Sequence, residues 1–99
     1  MNKFGDIVRT KREEKGMLLR QLAALIDMDT AILSKVERGE RKAKREQVEK
    51  IAKILEINAK GLLMEYLSDN IAYAILEEDL AIDVLKLAED KIKYLRKNR

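Results

Sequence analysis

Apolar residues recur along the chain in steps of three and four, the spacing that puts them on one face of a helix. Phe4, Ile7 and Val8 open an amphipathic helix that ends near Gly16, and Leu22, Ala23 and Ile26 mark a second, short one. Asp27, Met28 and Asp29 interrupt the pattern. The Asp29 carboxylate can accept the free amide hydrogens of a first turn, so it caps a third helix. That helix carries Ile32, Leu33 and Val36 and stops at Gly39. A fourth holds Val48, Ile51, Ala52 and Leu55 and ends near Asn58. Helices this short do not stand alone in water, so each buries its stripe against the others. Residues 1–58 read as one compact helical bundle.

The remainder is helical too. Leu62, Leu63, Tyr66, Leu67, Ile71, Ala74 and Ile75 form one stripe, with a candidate break at Ser68. Beyond Glu77, Glu78 and Asp79, a last helix runs from about Leu80 into the tail. Ala81, Leu85, Ala88, Ile92 and Leu95 step by four and three along it, a heptad seam just over two repeats long. Leu80, Val84 and Leu87 lay a second stripe beside that seam. The fold class is all-α, with residues 59–99 as a C-terminal helical extension.

Composition narrows the chemistry. The 99 residues hold no cysteine and no histidine, which removes thiolate sites, disulfides, the commonest metal ligand and the commonest general base. No metal or cofactor is implied, no Walker-type phosphate loop is present, and an enzyme is the weakest reading. The cluster Glu77–Asp79 fits a helix boundary better than a catalytic pair. No apolar run approaches a membrane span and MNKFGDIVRTK lacks the pattern of a signal peptide, so the expected location is cytoplasmic. Charge is segregated. Residues 1–58 carry fourteen cations against ten anions, residues 61–90 one cation against eight anions, and residues 91–99 five cations and no anion. The cations crowd at the end of the third helix: Lys35, Arg38, Arg41, Lys42, Lys44 and Arg45, opposed there by Glu37 and Glu40. A polyanion would relieve that repulsion.

Two short helices joined by a tight turn beside a basic rim suggest a helix-turn-helix. The stretch KREEKGMLLRQLAALIDMDTAILSKVERGERKAKREQVEKIAKIL resembles the Xre/Cro family of lambda-repressor-like DNA-binding domains. Leu22-Ala23 matches that family's Leu-Ala pair on the motif's first helix, and Leu33 to Gly39 (LSKVERG) matches its recurrent end of the recognition helix. The resemblance covers roughly residues 3–58. It implies a lambda-repressor-like bundle, and it implies that Arg12 and Glu37 form a structural ion pair between helices one and three.

A recognition helix presents its N-terminal side chains to base edges in the major groove. Thr30, Ala31, Ser34 and Lys35 lie opposite Leu33 and Val36 and are the expected base contacts. Thr30 and Ser34 can donate or accept, and Ala31 can touch a thymine methyl. Lys35 can donate to guanine or meet a phosphate. Arg38, Arg41, Lys42 and Lys44 are expected over flanking phosphates, each releasing a counterion when neutralised. At the start of the motif the family often has Ser or Thr followed by Gln. Leu18 and Leu19 stand there instead and are expected to pack on the C-terminal helices, leaving Arg20 to take the phosphate. Asp27 replaces the turn's usual Gly, and Asp tolerates the left-handed conformation.

These readings converge on a sequence-specific, double-stranded-DNA-binding transcriptional regulator. As a two-fold dimer it would read a palindromic operator with half-sites about 34 Å apart. Ala81, Leu85, Ala88, Ile92 and Leu95 are the expected dimerisation residues. Repression is the simplest mode, and a restriction-modification controller is an attractive variant. The rival is an antitoxin, whose residues 59–99 would bind a partner protein.

Overall fold

The computed structural model describes residues 3–99, and all its regular structure is helical. The helices are α1 (Lys3–Glu14), α2 (Leu19–Leu25), α3 (Thr30–Glu37), α4 (Arg45–Leu55), α5 (Ala59–Ile75) and α6 (Ala81–Lys97). Helix α1 packs on α3, α4 and α5; α2 packs on α3, and α4 on α5. Their stripes meet in one core of Phe4, Val8, Leu22, Ala23, Ile26, Leu33, Val36, Ala43, Val48, Ile51, Ala52, Leu55 and Leu62. Burying a side chain of this size contributes roughly 1.5–3 kcal/mol, which is what allows helices of two or three turns to persist.

The same device ends each of the first four helices. A residue in the left-handed region follows the last turn, and two amide hydrogens fold back onto its orphan carbonyls. After α1, Gly16 (φ +65°) lets Met17 N–H bond the Arg12 carbonyl at 3.0 Å. After α3, Gly39 (φ +78°) places Glu40 N–H on the Lys35 carbonyl at 2.9 Å. After α2 the residue is Asp27 (φ 54°), with Met28 N–H on the Ala23 carbonyl at 2.9 Å.

Three expectations are corrected. Helix α4 ends at Leu55, short of Asn58, because Glu56 takes the left-handed position at φ 57°. Lys15 Nζ, 3.0 Å from Glu56 Oε1, ties that residue to the turn just after α1. Asn58 instead opens α5, its Oδ1 accepting from Gly61 N–H at 2.7 Å. Ser68 does not break α5: its hydroxyl donates to the Glu65 carbonyl at 3.1 Å, inside an unbroken helix. Leu18 does not pack away but stays 48% exposed, while Leu19 packs at the edge of the N-terminal core.

Helix α5 straddles the expected boundary. Leu62 lies in the core, with Leu63 and Tyr66 packed against it, so the opening turns of α5 complete the N-terminal body. Beyond Met64, Tyr66 apart, most large apolar side chains are exposed. Helix α6 has no buried residue, and Leu85, Ile92 and Leu95 of its seam are 39%, 50% and 62% exposed. A compact chain of this length would have a radius of gyration of about 13 Å; the observed 15.6 Å, with extents of 44 × 30 × 21 Å, reflects the projecting arm.

Candidate nucleic-acid interface

Helix α3 is fixed at both ends. At its start, Asp29 Oδ1 accepts from Ala31 N–H (2.8 Å) and Ile32 N–H (3.3 Å), which satisfies two of the helix's free donors. At its end, Arg12 of α1 grips Glu37 with two parallel bonds, Nε to Oε2 at 2.8 Å and Nη2 to Oε1 at 3.0 Å. The third arm of the guanidinium, Nη1, donates to the Met17 carbonyl at 2.8 Å, so one side chain joins α1, the α1–α2 turn and α3. The side chains are only 11% and 5% exposed. The hydrogen bond to Glu37 raises the Arg12 pKa above its ordinary value, against the opposing effect of burial. Such a fork sets orientation as well as strength.

With Leu33 and Val36 inward, the opposite face of α3 meets solvent. Thr30, Ala31 and Lys35 are exposed and Ser34 half-buried. These four predicted base contacts share the face of α3 that points away from the core, from Thr30 in its first turn to Lys35 in its last.

The α3–α4 loop follows. Arg41, Lys42 and Lys44 are exposed, and none of their side chains enters an ion pair among the described residues. Arg38 differs: its Nε lies 3.2 Å from Glu40 Oε2 and donates to the Ser34 carbonyl at 3.4 Å. A phosphate must displace Glu40 to engage Arg38 fully. Arg20 is exposed on α2, next to the motif's turn rather than on the loop.

What holds the loop was not legible in the sequence. Ala43 is buried, and its carbonyl accepts a short hydrogen bond from the Tyr66 hydroxyl of α5. The Tyr66 ring meets Phe4 edge-on, with centroids 5.3 Å apart. One turn further along α5, Asp69 Oδ2 accepts from Phe4 N–H at 2.9 Å. Helix α5 thus latches both the cationic loop and the start of α1. Two glutamines were also missed: Gln21 and Gln47 accept from Leu18 N–H (2.8 Å) and Lys44 N–H (2.7 Å). Each is the returning half of a capping box whose first residue, Leu or Lys, lacks a side-chain acceptor. The Gln at the fourth position of each stretch was the available signal.

Among the described residues no cluster of acidic side chains is placed to hold a metal ion, and no helix is long and apolar enough to cross a membrane. A capped helix with a free polar face, clamped beside a cationic loop, defines a DNA-binding helix-turn-helix protein. The chain matches the helix-turn-helix family over residues 8–62, more than half its length, and belongs to that Xre/Cro-like family of DNA-binding transcriptional regulators. It is similar to the clp gene regulator ClgR from Corynebacterium glutamicum, at 29% identity over 88% of this chain and 90% of that one, with a TM-score of 0.60. It is also similar in fold to the SinR protein/SinI protein complex, at 21% identity over 97% of this chain and 99% of that one, with a TM-score of 0.57. No curated protein matches the chain.

Proposed function

We propose that the protein is a sequence-specific regulator of transcription that binds a palindromic operator on double-stranded DNA as a homodimer. Repression by occluding a promoter is the simplest mode, and its own promoter or that of a restriction-modification operon would be a fitting target. The supporting observation is the exposed Thr30, Ala31, Ser34 and Lys35 face on a helix fixed at both ends, flanked by unpaired Arg41, Lys42 and Lys44. In this reading α3 enters the major groove, the loop cations and Arg20 lie on phosphates, and the uncovered apolar face of α6 joins two copies. A second reading draws on that same uncovered face: a partner protein, as for an antitoxin, docks on residues 59–99.

The test is a salt titration of binding to a selected duplex and to a scrambled one. Lys35→Ala should erase most of the preference between them while the fold persists. Arg41→Ala with Lys42→Ala should weaken both complexes and shallow the salt slope by about two. An unchanged preference in the first variant or an unchanged slope in the second would contradict the assigned roles.

A further inference from the structure

We infer that α6 pairs with α6 of a second copy in antiparallel sense, crossing near Ala88, so that the basic tail of each copy (residues 91–99) covers the acidic elbow between α5 and α6 (residues 76–80) of the other. The inference rests on the homodimer reading above and adds the polarity of the pairing. It starts from the uncovered face. Among the described residues, fifteen large apolar side chains are exposed, and thirteen of them lie between Met64 and Leu95. Eight of those thirteen run from Leu80 to Leu95 along α6, and half-exposed side chains in that number present on the order of several hundred Å², approaching the roughly 800 Å² that each partner of a standard interface buries. At 100° per residue, the apolar positions of α6 from Leu80 to Leu95, Ile82 apart, cover about half the circumference. Lys91 alone interrupts that arc, and the small Ala88 lies near its middle.

Charge decides the occupant. Residues 77–90 hold six carboxylates against one lysine, a net of −5, and residues 91–99 hold five cations and no anion, a net of +5. Within the chain these charges are almost unused. Lys93 meets Glu89 at 3.8 Å, while Glu77, Glu78, Asp79, Asp83, Lys91, Arg96, Lys97 and Arg99 enter no ion pair among the described residues. They cannot meet within one copy of α6, because the elbow and the tail lie at opposite ends of a helix about 26 Å long. A parallel pair would stack tail on tail and elbow on elbow. An antiparallel pair crossing at Ala88 places Lys97 level with the partner's Asp79, and Ala81 level with the partner's Leu95, twice by symmetry. Like-charge contact is avoided by this polarity alone.

The chain has no cysteine, so disulfide trapping is clean. Ala81→Cys and Leu95→Cys chains, mixed and oxidised, should give the mixed disulfide dimer, with little product from either chain alone. In a parallel pair each variant would instead link to itself, which overturns the inference and leaves the homodimer reading intact. A chain that sediments as a monomer at high concentration overturns both. A charge swap gives an independent readout. Glu78→Lys with Asp79→Lys, and separately Arg96→Glu with Lys97→Glu, should each weaken self-association about tenfold. An equal mixture of the two should associate as tightly as the wild type. A mixture as weak as its parents would overturn the inference.

Discussion

The helical body up to Leu62 and the arm beyond Met64 draw on the same apolar residues, yet they dispose of them in opposite ways. In the body, every helix turns its stripe onto a neighbour, and Leu22, Leu33, Ile51 and Leu55 lose all contact with water. In the arm, Ile71, Leu76, Leu87 and Ile92 remain half-exposed or more. Both stretches are amphipathic helices, so helix formation does not separate them. Connection does. Turns closed by Gly16, Asp27, Gly39 and Glu56 fold the first five helices back on one another, whereas α6 leaves the elbow without returning to the core. A closed core can hold a recognition helix rigidly, and an open face can recruit a partner. In the proposed dimeric regulator the two behaviours are complementary.

Matched substitutions sharpen that contrast. Arg12→Ala removes both bonds of the buried fork on Glu37 and should lower the unfolding free energy by about 3–5 kcal/mol. Arg96→Ala in the arm should change it by less than about 0.5 kcal/mol. Urea denaturation of dilute, monomeric protein measures both, and equal effects would break the comparison. Ile51→Ala should cost about 2–5 kcal/mol in the same assay. Ile92→Ala should leave that value unchanged and raise the dimer dissociation constant about tenfold, read by sedimentation.

The latch between the two regions gives a smaller effect. Tyr66→Phe removes one hydrogen bond and leaves the Ala43 carbonyl without it, at a cost of about 1 kcal/mol. Amide exchange in residues 39–44 should accelerate while the α4 core stays protected. Unchanged exchange would mean that the loop is held by packing alone.

The smallest effect is electrostatic. The hydrogen bond and charge of Lys15 hold the Glu56 carboxyl below its ordinary value of 4.5. A depressed carboxylate pKa adds stability that is fully present above the ordinary value and is lost as pH falls through the folded one. The stability difference between wild type and Glu56→Gln should therefore be constant at neutral pH and disappear as the pH falls below the ordinary value of 4.5 and through the lowered folded one. A difference that persists in acid would place the contribution in the backbone rather than in the ion pair.

Much of the body was legible because its signals are local. Apolar spacing marked all six helices, Asp29 marked a cap and Gly39 a stop. The four outward residues of α3 followed from the position of Leu33 and Val36. The misses have physical causes. Glutamate carries no preference for positive φ, so Glu56 was invisible as a helix terminator. Ser68 satisfies its hydroxyl on its own helix and need not interrupt it. The Tyr66 and Asp69 latches join residues 23 and 65 positions apart, which no local pattern encodes. Tyr66 was readable only as one member of an apolar stripe. That Glu40 pairs with Arg38 rather than with another cation of the cluster was not legible, because its reach back depends on the backbone reversal at Gly39.

The most direct test of the account is selection of bound duplexes from a randomised pool by the full chain at physiological salt, followed by sequencing. The account predicts enrichment of an inverted repeat whose half-sites lie about one helical turn apart, and loss of that enrichment with Lys35→Ala. A retained pool indistinguishable from the input, from protein that is folded and dimeric, would contradict it.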